Sequence, residues 1–194
     1  MRPLCLQMTA FGPYVEQQTI DFSALEGRTL FLITGPTGAG KTTLFDAIAY
    51  ALYGESSGRE RDGEALRSDF APPELLTEVV FDFSLHGRTY QVKRSPKQLR
   101  PKLRGAGMAE QAAEACLAFT DEPQRLPIVG IREVNERIVE LLGLKYEQFR
   151  QIMMIPQGEF SRMLQAKSDE KEDMFRRLFG TQLFSMVQER IKRE

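Results

Sequence analysis

Cysteine, histidine and long apolar runs are what this sequence has least of. Its 194 residues include two cysteines, Cys5 and Cys116, and one histidine, His86. The cysteines are far apart and form no ligand-like pair, which suits a reducing compartment. A single histidine with no cysteine cluster beside it gives no zinc site, and no Ser/His/Asp arrangement points to nucleophilic catalysis. No apolar run approaches a membrane span, and the start, MRPLCLQMTAFGPY, lacks the apolar core of a signal peptide. A soluble cytoplasmic protein is expected. Net charge is only −1, so bulk charge does not announce a nucleic-acid partner. What remains is an ordinary globular composition, 42% apolar and 27% charged, in a chain long enough to bury a real core.

The pattern along the chain is α/β. Leu4, Leu6, Met8 and Ala10 alternate as in a strand, Gly12-Pro13 breaks the chain, and QQTIDF predicts a second short strand. TLFLIT, residues 29–34, is apolar on both faces and predicts a strand in the middle of a covered sheet. Residues 41–53 predict a helix with Leu44, Phe45, Ile48, Ala49 and Leu52 on its buried stripe and Gly54 ending it. Residues 54–75 read as loop. TEVVFDFSL and RTYQVKRS flank His86-Gly87 as a hairpin, and EACLAFTD adds a strand. Residues 95–112 read as a mobile connection. IREVNERIVELLGL is amphipathic, with Val134, Ile138, Leu141 and Leu142 on one side. At the end, Ser168 caps a helical pattern whose last residues, Phe184, Val187 and Ile191, begin a heptad.

The strongest chemical signal is Gly35-Pro36-Thr37-Gly38-Ala39-Gly40-Lys41-Thr42, which satisfies G-x-x-x-x-G-K-[ST] between an apolar run and a helix. Its glycines let successive backbone N–H groups turn inward on phosphate oxygens, and the helix start adds free amides and a positive dipole end. Lys41 reaches the β- and γ-phosphates, Thr42 supplies a hydroxyl to Mg²⁺, and Thr43 completes the nucleotide-binding set. Such a loop binds ATP with Mg²⁺.

Its acidic partner is harder to find. Asp82 ends the one apolar run leading into an acid, Val79-Val80-Phe81-Asp82, but inside an alternating strand that turns back at once. That is a half-exposed antiparallel strand, and Asp82 reads as a solvated residue. Downstream, Ile152 to Ile155 is broken by Pro156 and followed by Gln157-Gly158, which presents an amide at a fixed bend. A neutral amide can ligate Mg²⁺ through oxygen and orient water through nitrogen. A surface turn with an incidental glutamine fits the same residues, and chemistry alone leaves the two open. Lys93, Arg94, Lys97, Arg100, Lys102 and Arg104 form a basic run without an acid, either a solvated face or a track for DNA phosphates.

The early P-loop after an AFGPY segment, together with QGEFSRMLQAKSDEKEDMFRRLFG downstream, resembles the N-terminal ATPase segment of the SbcC family. These are the SMC-like, ABC-type ATPase subunits of the SbcCD DNA-repair nucleases. The resemblance runs from Leu4 to the end of the chain and implies a P-loop ABC/SMC-type half-head. That half-head combines an antiparallel β-subdomain with parallel core strands. Residues 1–182 would form the N-terminal lobe and residues 183–194 the start of a coiled coil, with the C-terminal lobe absent.

Gln157 takes the family's Q-loop role, contacting Mg²⁺ and sensing the γ-phosphate, and joins Lys41 as a catalytic residue. Arg67, in LRSD, falls near the arginine-loop region, and a nucleotide contact there competes with an exposed loop arginine. No LSGG-like sequence and no hhhhDE is present. The implied partners are the SbcD nuclease, double-stranded DNA, a second head joined through ATP, and the protein's own C-terminal half. A complete small P-loop enzyme using Asp82 as its Walker-B acid is the alternative, and a nucleotide-independent docking module is a third.

Overall fold

The computed structural model describes residues 1–153 apart from 26, 29, 56–65 and 103–105, with backbone alone for 151–153. Residues 1–143 form one compact unit and a second begins at Leu144. The expectations for Gln157 and for residues 154–194, including the terminal helix and coiled-coil start, lie outside the described residues.

Alternation builds the first unit. In β1 (Arg2–Thr9) Leu6 and Met8 are fully buried, while Cys5 and Gln7 face outward in part. β3 (Glu78–Leu85) repeats the pattern, burying Val79, Phe81, Phe83 and Leu85 and leaving Glu78, Val80, Asp82 and Ser84 half exposed. β4 (Arg88–Ser95) follows through a tight turn in which His86 and Gly87 both have positive φ, 51° and 78°. That turn twist suits the flanking strands. With β2 (Gln18–Asp21), β7 (Glu114–Phe119) and β8 (Ile128–Val129), these strands form one sheet in the order β2-β1-β3-β4-β7-β8. Each pairing is antiparallel.

Rings line the buried face across strands. Phe83 stacks on Tyr90 at 5.3 Å between centroids, and Tyr90 meets Phe119 edge-on at 5.8 Å. Each such pair adds about 0.5–1.5 kcal/mol beyond its burial. Against this face lie α1 (Lys41–Tyr53), on β3 and β4, and α2 (Ile131–Leu142), on β7. α2 follows its amphipathic pattern, with Val134 and Ile138 fully buried. In the second unit, α3 (Tyr146–Met153) begins where the Lys145 amide donates to Gln148 Oε1 at 3.0 Å.

Three expectations are corrected. Residues 30–34 are irregular rather than a buried strand, and Leu30 and Leu32 are 89% and 85% exposed. A run apolar on both faces needs neighbours on both sides, and the antiparallel sheet is built without it. Residues 95–112 are a second small sheet, β5 (Gln98–Pro101) paired with β6 (Met108–Gln111), rather than a loose connection.

The helix stripe is also displaced. α1 buries Thr43, Asp46, Ala47 and Tyr50 along its sheet-facing side, with Ala49 and Leu52 buried as expected. Leu44 and Ile48 are only half buried and Phe45 is 41% exposed. Small residues let the helix approach the sheet closely, whereas a hydrophobicity count favours the larger side chains.

Candidate functional site

The P-loop joins the irregular residues 30–34 to α1. Gly38 and Gly40 have φ of 86° and 81°, a conformation that side chains rarely adopt, so the glycines are a backbone requirement. A turn closes the loop where the Ala39 amide donates to the Pro36 carbonyl at 3.2 Å. Lys41, the first residue of α1, reaches back across it. Its Nζ donates to the carbonyls of Gly35 at 2.8 Å and Pro36 at 2.7 Å. An ammonium has three N–H donors, so two tie the loop shut and one is left for an anion.

The start of α1 fits the same ligand. Its cap is Gly40, which provides no side-chain hydrogen bond, and its first turn holds no acid. The first amides of a helix lack intrahelical acceptors and sit at the positive end of its dipole. Elsewhere such amides are satisfied by a Ser or Asp cap; here they are left to a ligand. Thr42 is exposed at this end, while Thr43 is buried beneath it. These residues fit a phosphate chain with Mg²⁺, with Lys41 and the amides on phosphate and the Thr42 hydroxyl on the metal.

Sequence reading missed what holds the P-loop in place. The turn from Ala10 to Tyr14 packs directly on it. Phe11 and Tyr14 exchange backbone hydrogen bonds at 2.9 and 3.0 Å, and Ala10 and Gly12 have φ of 48° and 56°. A Cβ on Gly12 would lie 2.7 Å from Thr43 Cγ2, and one on Gly40 would lie 2.5 Å from Tyr14 Oη. Both glycines are therefore fixed by close approach as well as by φ. The Tyr14 hydroxyl donates to the Ala39 carbonyl at 3.1 Å. The AFGPY segment was visible in the sequence, but its place against the P-loop was not.

At the far end of α1, Gly54 takes φ 76° and its amide closes on the Tyr50 carbonyl. Buried Arg94 then satisfies the remaining carbonyls. Its Nε donates to Ala51 O at 2.7 Å, and Nη2 donates to Leu52 O at 2.9 Å and to Asn135 Oδ1 of α2 at 2.6 Å. Burial holds the Arg94 guanidinium down to about 10, with Tyr50 opposing that shift. Burial likewise pushes the Tyr50 hydroxyl up to about 12, against the pull of Arg94. A cation at a helix C-terminus complements the dipole.

Arg94 thus leaves the basic run. Lys93 and Lys97 are paired with Glu78 at 2.6 Å and Glu110 at 3.1 Å. Lys102 is exposed and Arg100 half buried, while Arg104 is outside the described residues.

Arg67 is not the exposed loop arginine of the alternative reading. It is half buried, and Nη1 donates to Leu75 O at 2.7 Å and Thr77 Oγ1 at 3.2 Å. Nη2 donates to Pro72 O at 2.9 Å. Its backbone bridges Phe11, with Gly12 N–H on Leu66 O and Ser68 N–H on Ala10 O. Asp82 sits in the middle of antiparallel β3, where its Oδ1 accepts from Gln91 Nε2 at 2.8 Å. It is a half-exposed strand residue, as its alternation predicts.

A family model described as an AAA domain matches residues 5–192. The chain belongs to the AAA-domain family. Over nearly its whole length, this AAA-domain chain is homologous to SbcC proteins, the SbcC components of the SbcCD nuclease. It is 48% identical over 189 residues to the Vibrio cholerae protein, covering 97% of this chain and 19% of that one. It is 40% identical over 196 residues to the Lactococcus lactis protein, covering 99% of this chain and 18% of the relative. The chain spans about a fifth of the length of the curated relatives it matches.

A solved structure from work on ATP-driven dimerisation and DNA-stimulated activation of SMC ATPases superposes with a TM-score of 0.57. It is 16% identical and covers 92% of this chain and 99% of its own. The likeness shows the fold: a P-loop NTPase of SMC type. Among the described residues, no helix is long and apolar enough to cross a membrane.

Proposed function

We propose that this AAA-domain chain is the ATP-binding N-terminal half of an SMC-like DNA-repair ATPase. In the whole protein it would hydrolyse ATP, dimerise, and gate DNA access for the SbcD nuclease. The observation that carries the reading is Lys41 spanning the P-loop to the Gly35 and Pro36 carbonyls at the uncapped start of α1.

In this reading Gly35 to Thr43 cradle ATP, and Lys41 stabilises charge on the transferring phosphate. Thr42 and Gln157 hold Mg²⁺, with Gln157 also sensing the γ-phosphate. With Mg²⁺ bound, the metal neutralises β- and γ-oxygen charge. Arg67, braced beside the Phe11 turn, is at most an indirect support, because Leu75, Thr77 and Pro72 already occupy its guanidinium.

The chain's own C-terminal half is the partner that best accounts for Leu30, Phe31, Leu32 and Phe45. These large apolar residues stay exposed beside the P-loop helix or within it. They match a run that reads as a covered strand yet has no covering here. SbcD, double-stranded DNA and a second head follow from the homology. The same reading has the protein working in the cytoplasm, near the nucleoid. Of the basic run, Arg100 and Lys102 remain for DNA phosphates once Arg94, Lys93 and Lys97 are taken up by contacts within the unit.

The test is nucleotide binding by wild-type and Lys41→Ala protein, followed with a fluorescent ATP analogue and Mg²⁺. Loss of binding in Lys41→Ala is expected. Undiminished binding would sink the reading and favour a docking module.

A further inference from the structure

We propose that Tyr14 is a positioning residue for phosphate binding, acting by fixing which way the Ala39–Gly40 peptide faces. The inference rests on the nucleotide-binding reading above. Three observations meet at this peptide. The Tyr14 hydroxyl donates to the Ala39 carbonyl at 3.1 Å. Gly40 lies so close to the tyrosine that a Cβ there would stand 2.5 Å from Oη, 2.8 Å from Cζ and 3.0 Å from Pro13 Cγ. Gly40 is also the cap of α1, at φ 81°.

Peptide planarity links these facts to the ligand. The Ala39–Gly40 bond is trans, since no cis peptide occurs among the described residues. In a trans unit the C=O and N–H point in opposite directions. Holding the Ala39 carbonyl on Tyr14 therefore turns the Gly40 N–H away from the turn, to the side where α1 gathers its free amides. A flip of this one peptide would present a carbonyl oxygen to an anion in place of a donor. Glycine makes that flip easy, because it has no Cβ to forbid the alternative φ and ψ. The freedom that lets the loop wrap phosphate thus needs an external restraint, and Tyr14 supplies it. The turn carrying Tyr14 is itself held, by Ala10 N–H on Val15 O at 3.0 Å and by the Phe11–Tyr14 pair.

Tyr14→Phe keeps the ring against Gly40 and removes only the donor. In the full-length protein it is expected to weaken binding of Mg-ATP, Mg-ADP and inorganic pyrophosphate alike, about three- to tenfold, the fold-change of one neutral hydrogen bond. A second form carries fluorotyrosine at position 14, whose more acidic phenol loses its donor on ionising. Its affinity should fall as pH rises through that ionisation, a profile that wild type does not show over the same range.

Wild-type affinity in Tyr14→Phe with a flat profile in the fluorotyrosine form would overturn the proposal. So would a loss confined to ATP and ADP with pyrophosphate unchanged, which would place Tyr14 on the nucleoside. Lys41→Ala separates the two levels. If it too binds normally, the nucleotide-binding reading has failed; if it does not bind while Tyr14→Phe does, only the role of Tyr14 has.

Discussion

Replacing Arg94 with methionine isolates the contact that ties the P-loop helix to β4 and α2. Methionine keeps the length and loses the charge and all donors. Three hydrogen bonds disappear, to Ala51 O, Leu52 O and Asn135 Oδ1. Bonds from a charged donor contribute about 1.5–3 kcal/mol each. Opposing that loss, the cost of burying a guanidinium is no longer incurred. The fall of Arg94 from 12.5 to about 10 sets that cost at about 3 kcal/mol. The net expectation is a destabilisation of about 2–6 kcal/mol, large against a typical 5–15 kcal/mol for a whole domain.

Urea titration of the 194-residue chain, followed by far-UV circular dichroism, reads this as a lower midpoint at unchanged slope. Arg94→Lys should fall between, because one ammonium cannot bridge two helix-end carbonyls and an amide as the planar fork does. A loss under about 1 kcal/mol in Arg94→Met would mean that desolvation cancels the bonds, and the capping account would be wrong.

Two further perturbations follow from neighbouring geometry. Tyr50 is held protonated up to about 12 by burial, above its ordinary value of 10.0. Between those values the folded state keeps a proton that the unfolded state releases, so stability falls by about 2–3 kcal/mol as pH rises through the window. Arg94, depressed by burial, acts oppositely over nearly the same window, so alkaline destabilisation should be steeper in Arg94→Met than in wild type. Midpoints that rise with pH would contradict both assignments. Separately, buried Gln98 mimics a strand neighbour for Thr77, accepting from its amide at 2.7 Å and donating to its carbonyl at 3.1 Å. Gln98→Ala leaves both groups buried and unpaired and should cost about 2–4 kcal/mol in the same titration; a midpoint equal to wild type would refute the pairing.

The features legible in the sequence are those that a few adjacent residues dictate. Glycines at 38 and 40 followed by Lys41-Thr42 specify the P-loop backbone locally. The alternation around Asp82 and the His86-Gly87 turn specify the hairpin. What stayed hidden depends on distant partners. Arg94 reads as one member of a basic run until β4 brings it under the end of α1. The Leu44–Phe45–Ile48 stripe is the most apolar side of α1, yet the sheet takes the smaller Thr43–Ala47 side. Residues 30–34 read as a covered strand because their composition answers to neighbours that the described sheet does not supply. Tyr14 shows no signal at all in one dimension, since it meets Ala39 across 25 positions of chain.

Steady-state ATP turnover by the 194-residue chain alone tests the central claim most directly, namely that this P-loop is half of a composite site. The account predicts nucleotide binding that depends on Lys41, with hydrolysis indistinguishable from the Lys41→Ala background. Robust turnover that vanishes in Asp82→Asn but survives in Gln157→Ala would contradict it, because the chain would then carry its own catalytic acid.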